Sequence, residues 1–225
     1  MSVNLKFYIG YAFVYGLILL VGEGSYRFLR VKPELSRNFS HLAVGLISLP
    51  YPWIFSSHWW VLLIAVQSCV ILYFTRTLNL LPSHHGSNSK SVGSYLFFVS
   101  IYICFLASSY MNNAFFFVLP MLILSVSDVM AAVIGRNFGR EVDGPLIGFF
   151  KDNKTLAGTL AFFLSSLCIV CSAYYFYLHA HFLHAILVAT VISVTTAMTE
   201  AKSISGYDNL FVPVTSLLIM YLETF

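Results

Sequence analysis

The chain has 225 residues, of which 59% are apolar and only 9% charged, with a formal net charge of +3. Water-soluble domains carry roughly 25% charged residues, so a surface that faces water on all sides is excluded, and a mean hydropathy of +0.82 points to a protein embedded in lipid. The small net charge, without any basic block, also excludes nucleic acid as a partner.

A helix needs about 20 mostly apolar residues to cross the hydrocarbon core. By that criterion the sequence predicts an all-α, multi-pass membrane protein with seven or eight transmembrane helices. The candidate spans lie roughly at 5–22, 38–56, 58–74, 93–108, 113–135, 155–177, 180–198 and 209–223. The first carries one basic residue, Lys6, and shows no small-residue cleavage site, so it reads as an uncleaved span rather than a signal peptide. Pro50, Pro52, Pro120 and Pro213 fall inside later spans and predict kinks. The whole chain, 1–225, reads as a single integral membrane domain.

The connections alternate in character. "EGSYRFLRVKPELSR" between the first two spans holds Arg27, Arg30, Lys32 and Arg37; the stretch after the third span holds Arg76 and Lys90; the one after the fifth holds Arg136, Arg140, Lys151 and Lys154; and "EAKSISGYD" holds Lys202. Only Lys6 departs from this set. Basic loops favour the cytoplasm, so the expectation is a cytoplasmic face formed by segments around 23–41, 75–93, 128–158 and 199–209, with both termini opposite. The unusual polar residues sort to the same face, and the opposite one is expected to hold no matching set.

Four cysteines (Cys69, Cys104, Cys168 and Cys171) all lie in apolar runs and read as small hydrophobes rather than as metal or redox groups. The N-x-S/T triplets at Asn38 and Asn153 fall on the cytoplasmic side and are taken as fortuitous. The polar stretch around His84 and His85 reads as a loop.

Asp128 stands at the end of a strongly apolar run. A carboxylate in such a place faces a cavity, a partner or a substrate. It opens the pattern Asp128, Ala131, Gly135, Gly139, and "DNKTLAG" then brings Lys154, Thr155 and Gly158 to the start of the sixth span. Glycines allow close backbone approach to a phosphate, lysine adds charge, and a helix start presents its positive dipole end. An aspartate within reach can hold the Mg²⁺ that accompanies a nucleotide. The same glycines would also serve simply to ease the helix exit. Glu200, Asp208 and Asn209 precede the last span; they can complete a metal site or orient a hydroxyl nucleophile, or act as a solvated loop. Arg37 and His41, at i and i+4, share a helix face, where Arg37 serves either as a phosphate clamp or as an interfacial anchor.

In these pieces the chain resembles the CTP-dependent polyprenol kinase family, which includes phytol, farnesol and dolichol kinases and yeast-type diacylglycerol kinase. "SRNFSHLAVGL" is similar to that family's R-K-x-x-H segment, "SKSVGSYLF" to its basic approach to the next span, and "SDVMAAVIGRNFG" to its G-D-x-x-A-x-x-x-G-x-x-x-G. "KDNKTLAGTLAFF" resembles K-[ST]-x-E-G-[ST], and "TEAKSISGYDNLFVPV" resembles E…D-N-x-x-[VI]-P. The departures are Asn38 for lysine, Ser127 for glycine and Ala157 for the glutamate of the nucleotide loop. The resemblance implies a phosphoryl transfer from CTP, with Mg²⁺, to an isoprenoid alcohol or diacylglycerol at the bilayer surface. Asp128, Asp208 and Glu200 would be the catalytic carboxylates, with Asp128 and Asp208 on the metal. Gly135, Arg136, Gly139, Lys154, Thr155 and Gly158 would hold phosphates, and Arg37, His41 and Asn209 would orient the substrate. The neighbouring alternative is a phosphatidate cytidylyltransferase-like CDP-lipid synthase, whose H-G-G-x-x-D-R-x-D signature is absent here. A transporter or a non-catalytic membrane protein is the other alternative.

Overall fold

The computed structural model describes residues 3–85, 91–139 and 154–224, and among these it contains helices and no strand. The chain runs through α1 (Val3–Leu29), α2 (Pro33–Ser48), a single turn α3 (Tyr51–Ile54), α4 (His58–Thr77), a single turn α5 (Pro82–His85), α6 (Gly93–Tyr110) and α7 (Phe115–Leu122). A π-helical turn, Ile123–Ser127, leads directly into α8 (Asp128–Phe138); α9 (Leu156–Ser172) ends in a second π turn, Ala173–Tyr177, and α10 (Phe182–Lys202) and α11 (Asp208–Glu223) complete the bundle.

All eight expected helical segments are present. Six helices are long and apolar enough to cross a membrane: Val3–Leu29, His58–Thr77, Gly93–Tyr110, Phe115–Phe138, Leu156–Tyr177 and Phe182–Lys202. The other two, α2 and α11, have 16 residues each, about 24 Å of helix against the roughly 30 Å of a hydrocarbon core. The expected second span breaks at Leu49 and Pro50 and resumes as α3. The kink expected there is therefore a full interruption.

The segment that carries Asp128 is the innermost rod of the bundle. Phe117, Leu119, Met121, Ile123 and Leu124 are at most 1% exposed, because α2, α6, α9 and α11 surround α7 and its π turn. Pro120 supplies no backbone N–H, and the helix widens just beyond it, at Ile123–Ser127. A π turn of this kind rotates the next helical turn relative to the one before it, and the first residue so re-aimed is Asp128. At the outer surface, large apolar side chains such as Phe13, Leu20, Trp59, Leu164 and Leu187 are exposed, as lipid-facing positions require.

Close helix contacts use small residues, as is usual where lipid removes the hydrophobic drive for helix association. A Cβ placed on Gly45 of α2 would lie 1.8 Å from the Ser125 hydroxyl of the π turn. Gly206, in the turn before α11, has φ of +87° and sits against Gly93, where an added Cβ would come within 2.4 Å of the Gly93 Cα. Only glycine meets both demands.

Gly206→Ala should therefore lower the stability of the detergent-solubilised protein by roughly 1–3 kcal/mol. A drop in the thermal or denaturant midpoint checks this.

Candidate functional site

Four separated stretches of chain meet at one end of the bundle. Asp128 begins α8, Lys154 lies two residues before α9, Glu200 is in the last turn of α10 and Asp208 opens α11. Each of the three carboxylates offers an oxygen within 4.8 Å of the others.

The ammonium group of Lys154 ties this cluster together. It donates to Asp208 Oδ2 at 2.7 Å, to Glu200 Oε1 at 2.7 Å and to the Glu200 carbonyl at 2.6 Å. Three partners use all three ammonium donors. The side chain is only 14% exposed. Burial works against its charge, but the carboxylates of Asp208, Glu200 and Asp128 outweigh burial and hold its pKa above the ordinary lysine value. The folded value is raised, so the stability it contributes is complete below the ordinary lysine pKa and fades only as pH climbs through the raised one. Lys154 stays cationic throughout the neutral range.

The cluster lies on the wall of a cavity of about 610 Å³. Arg37 and His41 of α2 face it, as their i, i+4 spacing predicts, and so do Gly135, Arg136, Thr155, Gly158 and Asn209. The side chains of Arg37, Arg136 and Asp128 make no hydrogen bond or ion pair with any described residue, while Asp128 feels the charges of Asp208, Lys154, Glu200 and Arg37 at longer range. His41 packs its ring 4.0 Å from that of Phe97, and its Nε2 is buried without a hydrogen bond. Glu200 Oε2, Asn209 Oδ1 and the Thr159 hydroxyl are likewise buried and make no hydrogen bond of ordinary geometry among the described residues.

The glycines divide in role. Gly135 and Gly158 bring α8 and α9 into backbone contact: a Cβ on Gly158 would stand 2.9 Å from the Ala131 carbonyl, and one on Gly135 would stand 3.3 Å from the Gly158 Cα. They reach the cavity as part of a tight helix crossing. Gly139 does not line it; its N–H closes α8 on the Gly135 carbonyl at 2.9 Å, and an added Cβ would strike Thr155. Thr155 caps α9, its hydroxyl accepting from the Gly158 N–H at 3.1 Å. Lys154, expected to hold a phosphate, lines the cavity and also donates to the two acidic side chains.

Glu34, Asn38 and Thr159, which the sequence did not single out for the site, also line the cavity. The signal for two of them was there: 34, 37, 38 and 41 form one i, i+3, i+4, i+7 helix face. Asn38 is 9% exposed, which suits a cavity residue and not a glycosylation acceptor. Ala157 is not among the cavity residues, so the acidic trio is complete without a carboxylate there. Cys168 and Cys171 are free thiols. The opposite end of the bundle, expected to hold no matching polar set, carries one carboxylate among the described residues, Glu223, bonded by the Tyr174 hydroxyl and 2.9 Å from His184 Nε2. Lys90, Arg140, Lys151 and Asn153 lie outside the described residues.

The cytidylyltransferase family model matches residues 3–199, nearly the whole chain. The chain belongs to the cytidylyltransferase family. A curated phytol kinase of the cyanobacterium Synechocystis sp. is 26% identical over 222 residues, covering 98% of this chain and 93% of that protein. Both findings agree with the resemblance carried by the motifs. No solved structure matches the chain.

Replacing Lys154 with Met would leave buried carboxylates without their counter-charge. Loss of one partner from such a group costs about 3–5 kcal/mol, so K154M should lower the unfolding midpoint sharply. K154R, which restores the charge with a different shape, should recover part of it.

Proposed function

We propose that the protein is a membrane-embedded lipid-alcohol kinase that transfers the terminal phosphoryl group of CTP to an isoprenoid alcohol or a related lipid alcohol. The observation that carries this reading is the convergence of Asp128, Glu200 and Asp208 on one wall of a cavity whose other walls hold Arg37 and Arg136. Sequence similarity to a phytol kinase supports the choice of acceptor.

Phosphoryl transfer needs positioning and charge stabilisation more than covalent help from the protein. Arg37 and Arg136, uncommitted among the described residues, are placed to hold phosphate oxygens through charge-assisted hydrogen bonds. The α9 amino terminus beside Thr155 adds its positive dipole end. Asp128, to which Lys154 donates no hydrogen bond, is the carboxylate placed to accept the proton of the attacking alcohol. In the balanced step, the alcohol oxygen bonds to the γ-phosphorus, the bond from that phosphorus to the bridging oxygen breaks, CDP leaves, and the hydroxyl proton passes to Asp128 and then to solvent.

The donor set also fits Mg²⁺. With all three acids ionised and Lys154 protonated, the cluster carries two net negative charges, its ligand atoms are hard oxygens, and Glu200 Oε2 is a buried acceptor without a hydrogen bond. Asp128 and Asp208 would hold the ion, with Glu200 alongside, and the bound ion would neutralise charge on the nucleotide phosphates.

The family's name also supports a second reaction, in which a lipid phosphate attacks the α-phosphorus and yields a CDP-lipid. The two readings share the nucleotide and the acidic cluster and differ in the phosphorus attacked. On either reading the site faces the cytoplasm, an orientation supported by Arg27, Arg37, Arg76 and Arg136 at that end and Lys6 at the other.

Purified protein incubated with Mg²⁺, isoprenoid alcohols and CTP labelled on the γ-phosphate should yield labelled lipid phosphate. Label transferred only from the α-phosphate, and only to a phosphatidate acceptor, would establish the CDP-lipid reading instead. D128N should reduce turnover by roughly 10²–10⁴-fold while leaving the melting midpoint near that of the parent protein.

A further inference from the structure

A second, apolar hollow adjoins the polar cavity. It lies between α1 and α4, has a volume of about 60 Å³, and shares Leu19, Val44, Leu72 and Phe98 with the larger cavity. The two lie side by side and have those four residues as a common wall. From Leu19 it follows α1 past Gly16 to Ala12, and from Leu72 it follows α4 to Ile64, a run of about 10 Å at 1.5 Å per residue. Gln67 lies along this run, and its side-chain oxygen accepts from the Tyr8 hydroxyl, with the Tyr8 ring 6.0 Å from that of Trp60. On its outer side Ile71 lines the hollow and is 40% exposed on the lipid-facing surface.

Gly16 lines this hollow. A Cβ built there meets no atom within 4 Å, although the residue sits mid-helix, where glycine costs about 1 kcal/mol relative to alanine. Neither a close helix contact nor a left-handed turn accounts for a glycine at this position. Its missing side chain provides open space, next to apolar walls, one helical turn beyond the polar cavity.

We propose that this groove receives the hydrocarbon tail of the acceptor, so that the hydroxyl is held at the acidic cluster while the chain leaves between α1 and α4 into the bilayer. The proposal rests on the lipid-alcohol kinase reading for the identity of the headgroup reaction, but the groove itself is a tail-binding site whichever reaction takes place there. Its place beside the polar cavity suits an amphiphile with one polar end. Its lateral opening sets no upper limit on tail length, whereas the passage at Gly16 is met only by tails long enough to reach it.

Two measurements test this on the full chain in lipid nanodiscs. A phytol analogue with a diazirine on its tail should, on irradiation, label peptides containing residues 12–19 of α1 or 64–72 of α4, and excess unlabelled phytol, but not the matching alkane, should suppress the labelling. Adducts confined to other helices, or labelling indifferent to phytol, would overturn the groove. Second, G16L should lower the ratio of kcat/KM for an alcohol of four isoprene units to that for one unit by about tenfold or more. G10L, the same change on the same helix at a position that also meets no atom within 4 Å and lines neither cavity, should leave that ratio as in the parent protein. An unchanged ratio in G16L overturns the proposal. Failure of the kinase reading has a different signature: no phosphorylated lipid from any alcohol, with adducts still mapping to α1 and α4.

Discussion

The Lys154 ammonium group is the fixed point of the molecule's polar end. Three carboxylates within 4.8 Å of one another repel strongly in a medium that screens poorly. Without an internal cation they could not share a wall of the same cavity. Lys154 reaches two of them directly and fastens the approach to α9 onto the end of α10 and the start of α11. Asp128 is left as the member of the trio that other cationic groups can address. The arrangement thus separates carboxylates bonded to Lys154 from one that is not, within one cluster.

A second constraint is spatial. Asp128 sits at the end of the most deeply buried helix, and helices must come close around that helix without crowding it. Gly45 against Ser125, Gly135 against Gly158 and Gly93 against Gly206 achieve this at three separate crossings. Each draws a cavity-bearing element inward: α2 with Arg37 and His41, α9 with Lys154 and Thr155 before it, and the turn that positions Asp208. The glycines that resemble a phosphate loop therefore act first as packing surfaces, and their exposure to the cavity comes from how tightly the helices cross. At Gly16, by contrast, the missing side chain leaves open space beside the apolar hollow.

Much of the architecture was legible in the residues because the bilayer imposes a simple rule. Apolar runs of sufficient length become helices, and the eight expected segments correspond to the helices found. Lengths near the threshold were less readable: the 16-residue α2 and α11 depend on their neighbours more than on their own hydropathy. The members of the site were also legible, since ionisable residues at the ends of apolar spans are rare and costly. Their division of labour was not. Nothing in the spacing from 128 to 154 to 200 to 208 says that Lys154, on the cavity wall, would spend all three donors on Glu200 and Asp208. Glu34 and Asn38 escaped notice because their helix face shows itself only when four positions, and not two, are taken together.

By itself, then, the sequence determined that this is a helical membrane protein with its acidic and basic residues gathered at one end, because hydropathy and charge placement are local properties that the bilayer reads directly. Tertiary structure alone decided which of those residues touch, which glycines pack and which leave space, and that an apolar hollow lies beside the polar cavity. Those outcomes depend on the relative depth and rotation of helices distant in the chain, and they are fixed by side-chain packing that no single segment encodes.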